Sequence, residues 1–441
     1  MENISYKVAL GQRRIFSREG AKKLVPCITA VVIAWVISVL LTLRAQDAAA
    51  AQAATQLWVL PCLSIAAMVI SVSVGGEAMI ILFVTFVANV GISVQLLLDA
   101  SAAQSLEAAY LTGFVLAVIG ACAVRFISRC KAPTVEAISI VGSLVLFMGA
   151  MFSPAVNGSH IAVKVMGRSA LVGQPMLMIA LVGIAAAVTD MESGSPQRVL
   201  HAGILLLTNG FFFVLMNELG SLLILLITVS LVLIASDGVK PIDLIPVGCL
   251  FASLSFLGWK ALSILGTKLP HSLFGKIWNK TNARFAYVNV LSKMDSLSQE
   301  ETLGAAYQPI QGQKAILTSK WLGHSPYDIS IPAKSSDYVT CWIANRLGLA
   351  AVLAVVVLVY IIFIYGLIFS SRSHGMVSVM GVACASALAA GGALNLLGAT
   401  NIFPAVGVSF PLLSEGTMNI IVNSMMTGVI VLSTIKEREE N

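Results

Sequence analysis

The chain has 441 residues, of which 58% are hydrophobic and only 11% charged, with a mean hydropathy of +0.91. Soluble domains need roughly 25% charged residues to cover their surface, so this composition excludes a soluble globular protein and indicates a polytopic membrane protein. The net charge of +6 is spread along the chain rather than gathered on one polar segment, which excludes a nucleic-acid-binding surface.

Twelve apolar runs, each close to the roughly 20 residues that cross a bilayer, predict about 12 transmembrane helices. In chain order they fall at 25–43, 56–74, 78–98, 108–128, 135–153, 171–190, 200–216, 218–236, 242–266, 342–370, 375–395 and 417–435. Lipid offers the backbone no hydrogen-bond partner, so runs of this length are helices and the fold class reads as all-α. After the first run, the segment from Ala45 to Ala54 offers a signal-peptidase-like site. The basic lead before it is long and the run itself full-length, so the helix is read as retained.

Lysine and arginine set the orientation. The N-terminal segment carries Lys7, Arg13, Arg14, Arg18, Lys22 and Lys23. With that end inside, the other cytoplasmic segments hold Arg125, Arg129, Lys131, Arg198, Lys240, Arg372, Lys436 and Arg438, whereas the short outer loops hold Arg44, Lys164 and Arg168. Fourteen against three places both termini in the cytoplasm. The seven cysteines (Cys27, Cys62, Cys122, Cys130, Cys249, Cys341 and Cys384) lie in or beside spans, an odd number without the spacing of a disulfide framework or a zinc site.

Three outer segments exceed a tight turn: 154–170, 267–341 and 396–416. The second begins with a basic, aromatic-interleaved stretch at 268–293, which reads either as an interfacial helix on the headgroups or as a ligand site. Acidic side chains able to reach the outer face are few: Asp99, Glu107, Glu218, Asp295, Glu300, Glu301, Asp328, Asp337 and Glu415. An ionisable group at the membrane edge is costly and therefore a functional candidate. Asp337 closes the long loop five residues before Trp342 opens the next run, where partial desolvation would make its carboxylate a stronger base. Its other reading is a helix N-cap, together with Ser335 and Ser336. Glu218 separates two apolar runs and most simply marks a surface turn, and Arg346, inside its run, is expected to face the bundle interior or a water-filled cavity, with Glu415 and Glu218 as candidate partners.

Several stretches resemble one family. Ala306-Tyr307-Gln308-Pro309-Ile310-Gln311, Lys314-Ala315-Ile316, Ile331-Pro332-Ala333-Lys334-Ser335-Ser336-Asp337-Tyr338 and Leu347-Gly348 look like the large outer loop of the SEDS proteins (FtsW/RodA/SpoVE), with its L-P-E-x-H-T-D-F and E-E-L-G segments. Asn157-Gly158-Ser159 followed by Gln174-Pro175 resembles N-G-A-R-R-W and Q-P-S-E, and Asn217-Glu218-Leu219-Gly220-Ser221 resembles P-D-L-G-T. Asn395-Leu396-Leu397-Gly398 and the stretch from Phe403 to Ser414 resemble the closing N-I-G and L-P-V-T-G-V-P-L-P-F-I-S motifs. The order along the chain carries the resemblance, which covers 78 to the C-terminus.

The resemblance implies a peptidoglycan glycosyltransferase that polymerises lipid II and adds it to a growing glycan strand, in elongation, division or sporulation. Asp337 would be the base of an inverting displacement. Substrate contacts would come from Lys164, Arg168, Gln174, Glu218, Arg284, Gln308, Lys320, Lys334 and Ser414. The pyrophosphate leaving group needs cations, either these side chains or a divalent Mg or Mn ion, and the implied partner is a class B penicillin-binding protein. The implied organisation is a basic cytoplasmic segment at 1–24, two additional helices at 25–76, a ten-span core at 78–435 containing the outer loop 267–341, and a cytoplasmic tail at 436–441.

The departures bear on catalysis. His160-Ile161-Ala162-Val163-Lys164 stands for R-R-W, the family's Glu and Lys after Q-P fall on Leu177 and Ala180, and Asn345-Arg346 stands for E-E. A non-catalytic SEDS-like scaffold for the penicillin-binding protein is therefore the second reading. The third is a transporter or lipid flippase, against which stands the absence of matching halves.

Overall fold

The computed structural model describes residues 18–44, 54–55, 57–154, 161–165, 168–237, 239–370 and 374–435. Every predicted apolar run contains a helix. The helices are α1 (Arg18–Arg44), α2 (Val59–Ser73), α3 (Ala78–Leu98), α4 (Ala103–Ile127) and α5 (Ala132–Met151), then α6 (Gly173–Thr189), α7 (Ser195–Met216), α8 (Leu219–Ala235) and α9 (Pro241–Lys268). Four helices from the long loop follow: α10 (Leu273–Ala286), α11 (Gln299–Leu303), α12 (Tyr307–Leu317) and α13 (Val339–Leu347). The last three are α14 (Leu349–Ser370), α15 (Gly375–Ala399) and α16 (Thr417–Ser433). Among the described residues seven helices are long and apolar enough to cross a membrane, and five more apolar helices are shorter.

The described fold is all-α as expected, apart from one short hairpin after α5. There β1 (Ala162–Val165) and β2 (Arg168–Leu171) pair antiparallel, with Ala162 opposite Leu171. Val163 and Val165 alternate with smaller or polar neighbours, the period that suits an extended ribbon. The family-like Asn157-Gly158-Ser159 and His160 lie outside the described residues.

The run predicted at 342–370 is two helices. Gly348, at φ 100°, separates α13 from α14, and a Cβ there would stand 2.7 Å from the Trp321 carbonyl. Its N–H closes α13 by donating to Ile343 and Ala344. Arg346 is therefore on a short loop helix and pairs with Asp328 at 2.7 Å, with His324 beside it, rather than with Glu415 or Glu218.

The helices fall into two compact units interleaved along the sequence: unit 1 is Met1–Phe126, Leu353–Ala389 and Pro411–Asn441, and unit 2 is Ile127–Val352 and Ala390–Phe410. In unit 1, α1, α2 and α3 share a core that includes Val31, Met68 and Leu82. In unit 2, α5 packs on α6, where a Cβ on Gly183 would meet Ser139 Oγ at 2.5 Å. Small residues of this kind let helix backbones approach in lipid, where no hydrophobic force drives association. Phe147 stacks on Phe212 at 4.8 Å and joins α5 to α7.

Candidate functional site

The site is built from chain ends and turns of unit 2. Helix α7 stops because Asn217 takes a left-handed conformation (φ 60°), and Glu218 N–H reaches back to the Phe213 carbonyl at 2.9 Å while Asn217 N–H reaches Val214 at 3.0 Å. This pair of bonds is a Schellman closure, with asparagine at the position that tolerates positive φ. The closure leaves Glu218 as the N-cap of α8, where it accepts from Ser221 Oγ at 3.1 Å. Glu218 thus stands at the expected turn, but half-buried rather than exposed. Gly173, at the start of α6, abuts it: a Cβ there would lie 3.1 Å from Glu218 Oε1. Gln174 follows directly and is half-buried.

A second strand of the site is the loop 404–408. Gly220 lets this loop press onto α8, since a Cβ would meet Val408 Cγ2 at 2.7 Å and the Val406 carbonyl at 3.2 Å. Asn395, buried on α15, ties the loop to Asp337 by donating to the carbonyls of Val408 (2.7 Å) and Asp337 (3.0 Å). Thr340 in turn donates to Asn395 Oδ1 at 3.3 Å. Asp337 does not cap α13. The N-cap there is Tyr338, without a side-chain cap bond, so the capping alternative lacks its hydrogen bond.

The third contributor is α10, an amphipathic helix capped by Ser272, which accepts from Gly275 N–H at 3.2 Å. It buries Ile277 and Thr281, and its Trp278 meets Trp259 of α9 edge to face at 5.2 Å. Lys280 and Arg284 stand one turn apart on it, both half-buried. Arg284 Nη1 donates to the Val406 carbonyl at 3.3 Å. Gly407 (φ 73°) sits between this guanidinium and the base candidate: a Cβ would lie 3.6 Å from Arg284 Nη2 and 3.7 Å from Asp337 Oδ2.

Two carboxylates and two cations thus converge on one place. Burial pushes Asp337 above the ordinary carboxylate range, and Arg284 pulls it part of the way back. Burial likewise pushes Glu218 up; Ser221, Arg284 and Lys280 oppose the rise, and Asp337 adds to it. Burial lowers Arg284, which both carboxylates and Tyr338 raise again. Lys280 is lowered by burial and by Arg284, against the pull of Glu218. Tyr338 is almost fully buried, and its hydroxyl has no hydrogen-bond partner among the described residues.

The structure therefore brings together Asp337, Glu218 and Arg284, with Gln174 beside Glu218. Gln308 is half-buried on the first turn of α12, a helix that touches the site through Gly312 against the Tyr338 ring. Lys320 and Lys334 are exposed, and Ser414 is buried in unit 1. Lys164 and Arg168 lie on β1 and β2, and their side chains are outside the described residues. Lys280 escaped the sequence reading, although its i, i+4 spacing to Arg284 within an amphipathic stretch was a usable signal. Among the described residues no group of three or more His, Cys, Asp or Glu could hold a metal ion. The donor set at the site, two carboxylates facing two cations, does not fit a metal cage.

The sequence profile of the FtsW/RodA/SpoVE family, described as cell cycle proteins, matches residues 77–440. No curated protein matches the sequence. Among solved structures, one chain described under the structural coordination of polymerization and crosslinking by a peptidoglycan synthase complex is 17% identical, with a TM-score of 0.58 over 81% of this chain and 97% of that one. The Rod shape determining protein RodA of Thermus thermophilus is 14% identical, with a TM-score of 0.52 over 81% of this chain and 96% of its own. An aspartate-to-alanine mutant of that protein is 13% identical, at TM-score 0.53 and the same coverage. Likeness at these identities shows a shared polytopic membrane fold.

Proposed function

We propose, from the premise that the chain belongs to the FtsW/RodA/SpoVE family of cell cycle proteins, that it acts in peptidoglycan synthesis as a lipid II polymerase. The observation that carries the reading is the meeting of Asp337 with Arg284 around Gly407, beside Glu218. A desolvated carboxylate with a raised pKa is a better base than a solvated one, and it suits removal of a proton from the sugar 4-hydroxyl as that oxygen attacks the anomeric carbon. One base suffices for inversion, whereas retention would need a second carboxylate as nucleophile. Arg284 and Lys280 supply positive charge for the departing pyrophosphate.

The lipid tail of such a substrate accounts for a site mounted on a helical bundle. Twelve spans with cytoplasmic termini and the loop 267–341 outside a bacterial plasma membrane follow from the charge count, with the first two helices added to a ten-span core. A cysteine placed at Ser298 should then label from outside and one at Ser193 should not; the reverse would overturn the orientation. A class B penicillin-binding protein is the proposed partner, in keeping with the synthase complex among the similar structures.

The deciding experiment is lipid II polymerisation by matched amounts of folded wild type and Asp337→Asn. Loss of a positioned base costs about 10²–10⁴ in rate, whereas an N-cap tolerates Asn as well as Asp. Equal polymerisation by the two would refute the assignment. One observation favours a second reading, a scaffold for the partner: Leu177 and Ala180, where the family has Glu and Lys, are buried at 2% and 0% exposure. Absence of polymerisation by the wild type, alone and with its partner, would support that scaffold.

A further inference from the structure

Unit 1 contains a cavity of about 510 Å³ that takes no part in the site described above. Its walls come from α2, α3, α4 and α16, with Leu412 at one end. It follows α4 from Tyr110 to Arg125, and fifteen residues of helix at 1.5 Å rise make it about 22 Å long. The back wall is rigid. A Cβ on Gly428 would stand 2.5 Å from the Ala117 carbonyl and one on Gly113 2.8 Å from Ser424 Oγ, so α4 and α16 are already in backbone contact. The other side reaches the surface, since Ile70, Val74 and Val118 line the cavity while being 46%, 52% and 43% exposed.

The two ends differ. At one, Tyr110 donates its hydroxyl to the Leu412 carbonyl at 3.4 Å. At the other stands Arg125, on the same side as the last turn of α2, where Ser71 is 2% exposed and its Oγ has no hydrogen-bond partner among the described residues. Between the ends, polar wall groups are satisfied locally: Thr85 donates to Ile81 at 2.7 Å and Asn89 to Thr85 at 2.8 Å. Water needs two to four polar partners, and the middle of this cavity offers few, so a hydrocarbon is the suitable filler.

We propose that this cavity is a binding site for an anionic phospholipid. One fatty-acyl chain lies extended along α4 between α2 and α4, with its tip at Tyr110. The phosphate sits at the other end, where Arg125 supplies charge. A branched polyprenyl chain, wider than a straight acyl chain and longer than the cavity, suits the space poorly. Because α2 forms one wall, the bound chain packs that helix against α3 and α4. The proposal rests on the membrane setting alone and stands apart from the polymerase reading.

The test is native mass spectrometry of the full-length protein, extracted from its membranes in mild detergent and offered phosphatidylglycerol and phosphatidylethanolamine in equal amounts. Wild type is expected to retain phosphatidylglycerol selectively. Ala121→Phe, which fills the cavity near its charged end, should lower retention of both lipids. Arg125→Gln should keep lipid binding but lose roughly tenfold in preference for the anionic lipid, the value of one charge-assisted hydrogen bond. Equal retention of the two phospholipids by wild type, capture of a polyprenyl phosphate instead, or unchanged preference in Arg125→Gln would overturn the proposal. If Ala121→Phe does not fold, the Arg125→Gln comparison decides alone.

Discussion

Each unit buries polar side chains, but in opposite ways. In unit 1, α16 carries Asn419, Asn423 and Thr427 into the interior, and each is joined to a near neighbour. Asn419 donates to the Ser414 carbonyl at 3.2 Å, Asn423 to Asn419 Oδ1 at 2.6 Å, and Thr427 to the Asn423 carbonyl at 2.8 Å. In unit 2, Glu218, Arg284 and Asp337 are ionisable, and among the described residues no direct ion pair joins them to one another. Backbone anchors hold them apart instead: the Val406 carbonyl holds Arg284, and Asn395 grips the chain at Asp337. A ladder of neutral groups that satisfy each other stabilises a helix in lipid. Ionisable groups gathered at a membrane edge with shifted pKa values mark a candidate functional site instead.

That contrast can be broken by substitution. The largest effect is expected for Arg284→Gln, which removes the guanidinium beside both carboxylates. Loss of such an electrostatic group costs about 10² in rate or more. A rate equal to wild type would mean that Arg284 is structural, like the α16 ladder.

Next comes Asn423→Ala. It removes the buried hydrogen bond from Asn423 to Asn419 Oδ1, which costs about 1 kcal/mol of stability. Polymerisation per folded molecule should stay the same, and a loss of rate without loss of stability would erase the distinction between the units.

The smallest effect, and the sharpest in sign, concerns pH. Burial raises Glu218 above its unfolded value, so its protonated form is the one that folding favours. Stability from this group is fully present below the ordinary carboxylate pKa and is lost as pH rises through the raised value. Glu218→Gln mimics the protonated acid. It should therefore melt at a higher temperature than wild type at neutral pH, with the gain fading on acidification. A gain that grows on acidification would show that the cations, rather than burial, govern this carboxylate.

Much of this molecule is written locally. Composition pointed to lipid as the solvent, and each of the twelve apolar runs contains a helix, because a backbone in lipid has no other way to satisfy its own polar groups. Asp337 and Glu218 were legible as rare acidic side chains near membrane edges, where an ionisable group is costly, and Arg284 only through the family resemblance. The break at Gly348 and the hairpin at 162–171 were not. The first depends on the Trp321 carbonyl filling the space where a side chain would stand, and the second on two short strands finding each other. Least legible was the meeting of Glu218, Arg284 and Asp337. Hydrophobic periodicity reports which face of a helix turns inward, but not which helix it will face. Only the pressing of the 404–408 loop onto Gly220, and the reach of Arg284 to Val406, set these distant residues around Gly407.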